Sequence, residues 1–155
     1  MLKLEQRELP TVVFRRDLPE FLAKGPCFIE FEARAGGAIN TAYGRAVEQM
    51  TTRANVLDAK RAEMKDAEAR VKQRAADAEE VGELRLMALY DACVIKWRSN
   101  ILSDGLPITC DRETFGDLIK VKGVPELATA LLDLEREVLA AGVIVKEAQD
   151  DTVKN

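Results

Sequence analysis

The stretch KWRSNILSDGLPITCDRETFGDLI, from Lys96 to Ile119, holds the chain's only tryptophan and its sharpest reversal. Upstream of it, Leu84, Met87, Ala92, Ile95 and Ser99 line one helical stripe, which Leu86, Leu89, Tyr90, Cys93, Val94 and Trp97 widen. That spacing predicts an apolar helix buried on more than one side, with Trp97 near its end. Asp104-Gly105 then reads as the helix C-cap, because glycine adopts the left-handed conformation that helix ends favour, and Pro107 prevents continuation. Thr109 or Asp111 caps a second, short helix with acidic residues in its first turn. Pro125 stands at the first position of a longer helix, where its missing N–H costs nothing. Leu127, Leu131, Leu134 and Val138 form that helix's apolar stripe. Trp97, Asp104, Gly105, Pro107 and Pro125 are therefore expected to make a structural junction, the indole covering the point where three helices meet.

The first 37 residues have a different character. TVVFRR (Thr11–Arg16) and CFIEFEAR (Cys27–Arg34) are rich in β-branched and aromatic residues. The second alternates, with Phe28, Glu30 and Glu32 on one face and Ile29, Phe31 and Ala33 on the other, as a half-buried strand does. Two strands joined by DLPEFLAKGP make an antiparallel ribbon. A lone two-stranded ribbon is marginal in water, so this one must pack on helices or on another chain, and its open edges are candidates for oligomerisation.

Gly36-Gly37 ends the ribbon, and Asn40 or Thr41 can cap the next element. From Tyr43 onward the apolar residues Val47, Met50, Leu57, Met64 and Val71 step by four and three with alanines between them, as a heptad seam does. Arg61 and Glu68 interrupt that seam. The segment Asp58–Glu80 holds 13 charged residues and 7 alanines in 23, which describes a solvated helix or arm with little to bury. Overlapping it, Arg53–Arg74 carries seven basic residues against four acidic ones. The chain thus divides into a β ribbon (1–37), a long helix with a charged arm (38–83), a helical core (84–148) and a short flexible tail (149–155). The expected fold is mainly α with a small N-terminal antiparallel β ribbon (α+β), one compact domain plus an arm.

Composition narrows the function. A net charge of −4 argues against a protein that mainly coats nucleic acid. The three cysteines, Cys27, Cys93 and Cys110, form no C-x-x-C pair, and no signal sequence or membrane-spanning run is present, so a reducing cytoplasm is expected. The absence of histidine removes the commonest general base and metal ligand together. ARAGGAINTAYG lacks a phosphate-loop pattern, and SDGLP lacks the ligand series of a calcium loop. Cys110 near a helix start has no base to pair with. No enzyme activity, cofactor or metal is expected.

The 94–132 segment carries a pattern of turn and packing residues: Trp97, Ile101, Asp104-Gly105, Leu106-Pro107, Thr109, Phe115, Leu118, Val121, Val124-Pro125, Leu127 and Leu131. In this it resembles the tail assembly chaperones of tailed bacteriophages, and FIEFEARAGGAINTAYGRAV is similar to that family's N-terminal strand and following helix. The charged segment 52–83 is longer than the family leads one to expect. The resemblance implies a small, helical, self-associating protein of the host cytoplasm. Such a protein binds and solubilises the phage tape measure protein during tail assembly and is absent from the finished virion. The partner-binding residues expected on this reading are Leu127, Leu131, Leu134 and Val138, together with Val47, Met50, Leu57 and Met64. The same leucines serve equally as core. Two other readings compete: a helical DNA-associated phage protein of the small-packaging-subunit kind using Arg53–Arg74, and a structural adaptor of the virion.

Overall fold

The computed structural model describes residues 8–154. Strand β1 (Thr11–Leu18) leads through a 3₁₀ turn (Glu20–Leu22) into β2 (Cys27–Arg34), and the two pair antiparallel along their full lengths, Thr11 against Arg34 through Leu18 against Cys27. Helices α1 (Thr41–Ala62) and α2 (Ala67–Cys93) follow, then β3 (Val94–Ser99), a short hairpin of β4 (Leu102–Ser103) and β5 (Leu106–Pro107), α3 (Arg112–Ile119) and α4 (Pro125–Lys154). The protein is mainly helical with a small antiparallel sheet, in keeping with its alanine-rich, aromatic-poor composition. Among the described residues no helix is long and apolar enough to cross a membrane.

The segment around Trp97 folds differently from its helical reading. Helix α2 stops at Cys93, and Val94 already has extended dihedrals (φ −70°, ψ 123°). Residues VIKWRS become a third strand on the N-terminal ribbon, in the order β1-β2-β3, with Phe31 opposite Trp97 and Ile29 opposite Ser99. The β-branched and aromatic content of this segment satisfies the open edge of β2, a tertiary gain that outweighs a continued helical stripe. Asp104-Gly105 is accordingly not a helix C-cap. Both residues are left-handed (φ 50° and 76°) and form the two-residue turn of the β4–β5 hairpin, Ser103 facing Leu106. Asp-Gly is the residue pair that such a turn selects. The ribbon and the C-terminal helical region therefore share one core.

Residues 38–83 do not form one continuous helix. Glu63–Asp66 breaks the chain, and α1 and α2 run back along each other as a helical hairpin. Asp66 caps α2, its side chain accepting from the Glu68 N–H at 3.0 Å. Arg61, which interrupts the apolar seam, donates to the carboxylate of Asp77 on the facing helix at 2.6 Å, and Gln73 donates to the other oxygen at 2.9 Å. Asp77 is 5% exposed. Its carboxyl is held below the ordinary aspartate range by the Gln73 amide first and then by the Arg61 guanidinium. At the far end of the chain, helix α4 runs on through Lys154, across most of the span 149–155 that the sequence suggests is a tail.

The core lies between the inner face of the sheet and helices α2, α3 and α4. Phe31 is its hub: the Trp97 ring stacks on it at 5.7 Å, the Phe115 ring meets it edge-on at 5.8 Å, and Phe14 lies at 6.4 Å. The Trp97 indole N–H donates to the Asp111 carbonyl at 3.2 Å, tying β3 to the start of α3. Asp111 caps α3 by accepting from the Thr114 N–H at 2.8 Å, and that bond holds its carboxyl below the ordinary aspartate range. Trp97 does anchor a junction, but one of sheet and helix rather than of three helices.

Asn40 performs the equivalent task on the opposite side. It is 3% exposed, caps α1 by accepting from the Tyr43 N–H at 3.1 Å, and donates its amide to the carbonyls of Ala35 (3.0 Å) and Ala92 (3.2 Å). One side chain thereby joins the exit of β2, the start of α1 and the end of α2. Beside it, the Gly36 N–H donates to the Val138 carbonyl at 3.1 Å, so strand exit and α4 meet backbone to backbone.

Candidate interaction surface

The sequence-predicted partner residues divide sharply. Leu127, Leu131, Leu134 and Val138 are 3%, 2%, 0% and 0% exposed and point into the core. As an exposed gripping stripe they are a misreading: a regular apolar stripe on α4 faces the sheet and α2, and only a change of fold would present it to a partner. Leu57 is likewise buried, as the one fully covered residue of α1. Val47 and Met50 on α1 and Met64 at the tip of the hairpin are half-buried. Trp97, Asp104, Gly105, Pro107 and Pro125 occupy the structural positions described above, Pro125 opening α4 as expected.

Two clefts flank α2. The first, of about 210 Å³, is floored by Leu86, Leu118 and Leu131 and edged by Ile119, Val121 and Leu132. Val121 and Leu132 are 42% and 45% exposed, an apolar pair left open beside a covered floor. Its rim is ionic: Lys122 pairs with Glu79, and Arg85 with Glu135 at 2.9 Å. Gly82 of α2 faces this cleft, and a Cβ built on it meets nothing within 4 Å. The second cleft, of about 300 Å³, lies between α1 and α2 and contains Met50, Leu84, Met87 and Ala88. Two ion pairs fence it, Arg53–Glu80 at 2.9 Å and Arg112–Asp91 at 2.7 Å. Leu131 and Met50 are thus the two predicted residues that reach a surface depression.

The outer face of the sheet is a third surface, with a cleft of about 400 Å³ over Val13, Glu30, Glu32, Lys96 and Arg98. Glu30 sits between Arg98 and Arg15, with Arg15 at 3.7 Å, and its carboxyl is held below the ordinary range, chiefly by the Arg98 hydrogen bond. The Arg15 guanidinium lies 4.2 Å from the Phe28 ring centre. The alternation of Phe28, Glu30 and Glu32 marks this face as polar from sequence. Lys96 and Arg98 join it only because Val94–Ser99 is a strand, so a helical reading of that segment conceals them.

Each of these three surfaces combines apolar and charged side chains. Nearly every charge on them is paired with a neighbour, and among the described residues no three Cys, Asp or Glu side chains converge as metal ligands would. Burial pushes the Cys93 thiol up to about 11, and Cys27 is raised for the same reason. Of the basic run Arg53–Arg74, Arg53 and Arg61 are held by Glu80 and Asp77 within the hairpin, which leaves the remaining five to solvent. Compared with protein-family models, curated proteins and solved structures, the chain matches none.

Proposed function

We propose that this chain is a tail assembly chaperone of the tailed-phage kind, working in the host cytoplasm, which holds amphipathic helical segments of the tape measure protein. The observation that carries the reading is the α2–α3–α4 cleft, an open apolar depression with ionic walls. Such a groove suits the apolar face of a helix, with anchors spaced by three and four residues. Three of the residues that carry the family resemblance, Leu118, Val121 and Leu131, line that cleft. The resemblance and the cleft therefore fall on the same residues. The binding surface moves with them, from the buried stripe on α4 to the exposed pair Val121 and Leu132 and the cleft floor beneath.

The test is co-expression with the tape-measure-like protein of the same genome. A soluble complex that survives high salt is expected, and Leu132→Glu with Val121→Glu should abolish it while the melting temperature of the chaperone is unchanged. Both residues are exposed, so the substitutions act on the surface and not on the core. A partner that stays equally insoluble with and without this chain would refute the reading. Duplex DNA binding with a steep salt dependence would favour the DNA-associated alternative.

A further inference from the structure

We infer that a second copy of this chain pairs with β1 edge to edge, antiparallel, about an axis at Phe14. The Ala35 N–H donates to the Pro10 carbonyl at 2.8 Å, which fixes the alternation of the β1–β2 ladder. By that alternation Val12, Phe14, Arg16 and Leu18 bond towards β2, and Thr11, Val13, Arg15 and Asp17 aim their N–H and C=O groups away from it. Among the described residues no other backbone group pairs with these four. The strand is eight residues long, contains no proline and pairs with β2 without a bulge, so its free edge is straight. Such an edge is a template for another strand.

Its charges do not guard it. Arg15 folds over the Phe28 ring, and Arg16 is engaged by Glu137 at 2.7 Å and by Asp133 at 4.0 Å. One edge group, the Arg15 carbonyl, accepts from the Arg16 guanidinium at 2.8 Å, and a carbonyl oxygen has a second lone pair to offer. The other edge of the sheet is a poorer template. Strand β3 is shorter, its pairing shifts register at Glu32/Ala33, and the segment around Cys110 and Asp111 bonds to Ser99 and Trp97 beside it.

Charge and face select both the occupant and the register. Partner residues must share a face, and the outward-bonding residues must be the ones that exchange hydrogen bonds. Centring on Phe14 satisfies both conditions. It sets Val13 opposite Arg15 of the second copy and Thr11 opposite its Asp17, with no like charges facing. Moving the axis one way opposes Arg15 to Arg15, which is repulsive. Moving it the other way shortens the ladder. The product is one continuous six-stranded sheet, and Val13, 71% exposed in the single chain, is covered.

The pairing rests on the geometry and side chains of β1 and stands apart from the chaperone reading. The test is sedimentation equilibrium of the full chain across the micromolar range, with three variants. The wild type is expected to dimerise. Val13→Pro removes an N–H that bonds to nothing among the described residues, so it leaves the β1–β2 ladder in place and yields a folded monomer. Val13→Glu faces Arg15 of the second copy twice per dimer and should tighten association by roughly 2- to 30-fold, whereas Val13→Lys should weaken it. A wild type that is monomeric throughout overturns the inference, and so does a folded Val13→Pro that still dimerises. Should Val13→Pro fail to fold, the charge pair decides: Glu and Lys shifting association in the same direction overturns the proposed pairing.

Discussion

The backbone crossing of Gly36 and Gly142 is where a single methyl group should do most harm. A Cβ built on Gly142 falls 1.8 Å from the Gly36 carbonyl oxygen, roughly 1.2 Å inside the closest approach that real Cβ atoms make. The obstacle is backbone on a buried strand exit, so no side chain can rotate out of the way. Gly142→Ala must therefore push α4 off the loop, and that displacement strains the Gly36 N–H to Val138 carbonyl bond. Overpacking costs about 1–3 kcal/mol and a buried bond left unmade about 1–3 more, while alanine's better helix propensity returns only about 1. The net is a loss of about 1–5 kcal/mol. For a chain of this size, that lowers the melting temperature by about 2–20 °C. The matched control is Gly82→Ala, also inside a helix but with nothing within 4 Å of the new methyl, which should stabilise by about 0.5–1 kcal/mol. Thermal denaturation followed by circular dichroism reads both. A Gly142→Ala variant as stable as the wild type would show that α4 and the Gly36 loop do not meet in this way.

Buried polar groups and thiols give three further expected outcomes. Asn40→Asp keeps the α1 cap but turns a carboxylate oxygen towards the Ala35 and Ala92 carbonyls, so in a denaturant titration it should cost about 2–4 kcal/mol and be no milder than Asn40→Ala. Asp77 titrates below the ordinary aspartate value in the folded hairpin, so its contribution is complete above that value and is lost as the pH falls below it through the folded pKa. The melting temperature of Asp77→Asn should consequently vary less with pH over that acidic window than the wild type's, and parallel curves would contradict the Arg61–Asp77–Gln73 network. With a thiol reagent near neutral pH, half-exposed Cys110 should react first. Buried Cys27 and Cys93, whose thiols are pushed up by burial, should react only on unfolding.

Legibility from sequence depends on whether local pattern and tertiary demand agree. They agree for β2, where strict alternation places Ile29 and Phe31 inward, and for the α3 and α4 starts, where Asp111 and Pro125 do what a cap and a first-turn proline do. They disagree at Val94–Ser99. A helical stripe runs through these residues without a local stop, and only the need to complete a two-stranded ribbon reveals them as a strand. Two signals point that way: the β-branched and aromatic run VIKW, and Asp-Gly two residues beyond Leu102, which marks a hairpin as readily as a helix end. Sequence alone does not rank Leu127, Leu131, Leu134 and Val138 as core or as surface. Burial depends on what lies opposite, and a ribbon lacking β3 offers too little sheet to cover them.

The same disagreement explains the hairpin of α1 and α2. Arg61 and Glu68 break the apolar seam, and a continuous helix would leave both to solvent. Folding back at Glu63–Asp66 brings Arg61 onto Asp77 and Arg53 onto Glu80, so Arg61, which spoils the seam, becomes a contact that closes the hairpin. Apart from Leu57, little of α1 is buried, and of the two ion pairs that close the hairpin the half-exposed Arg53–Glu80 contributes only modestly, leaving the covered Arg61–Asp77 contact as its main clasp. The arm is therefore the weakly held part of a molecule whose sheet and C-terminal helices are tightly packed around Phe31. On the function proposed above, that division has a use. The rigid part presents the α2–α3–α4 cleft in fixed geometry, and the arm forms the wall of the second cleft, where a small shift of α1 changes the width between Met50 and Met87.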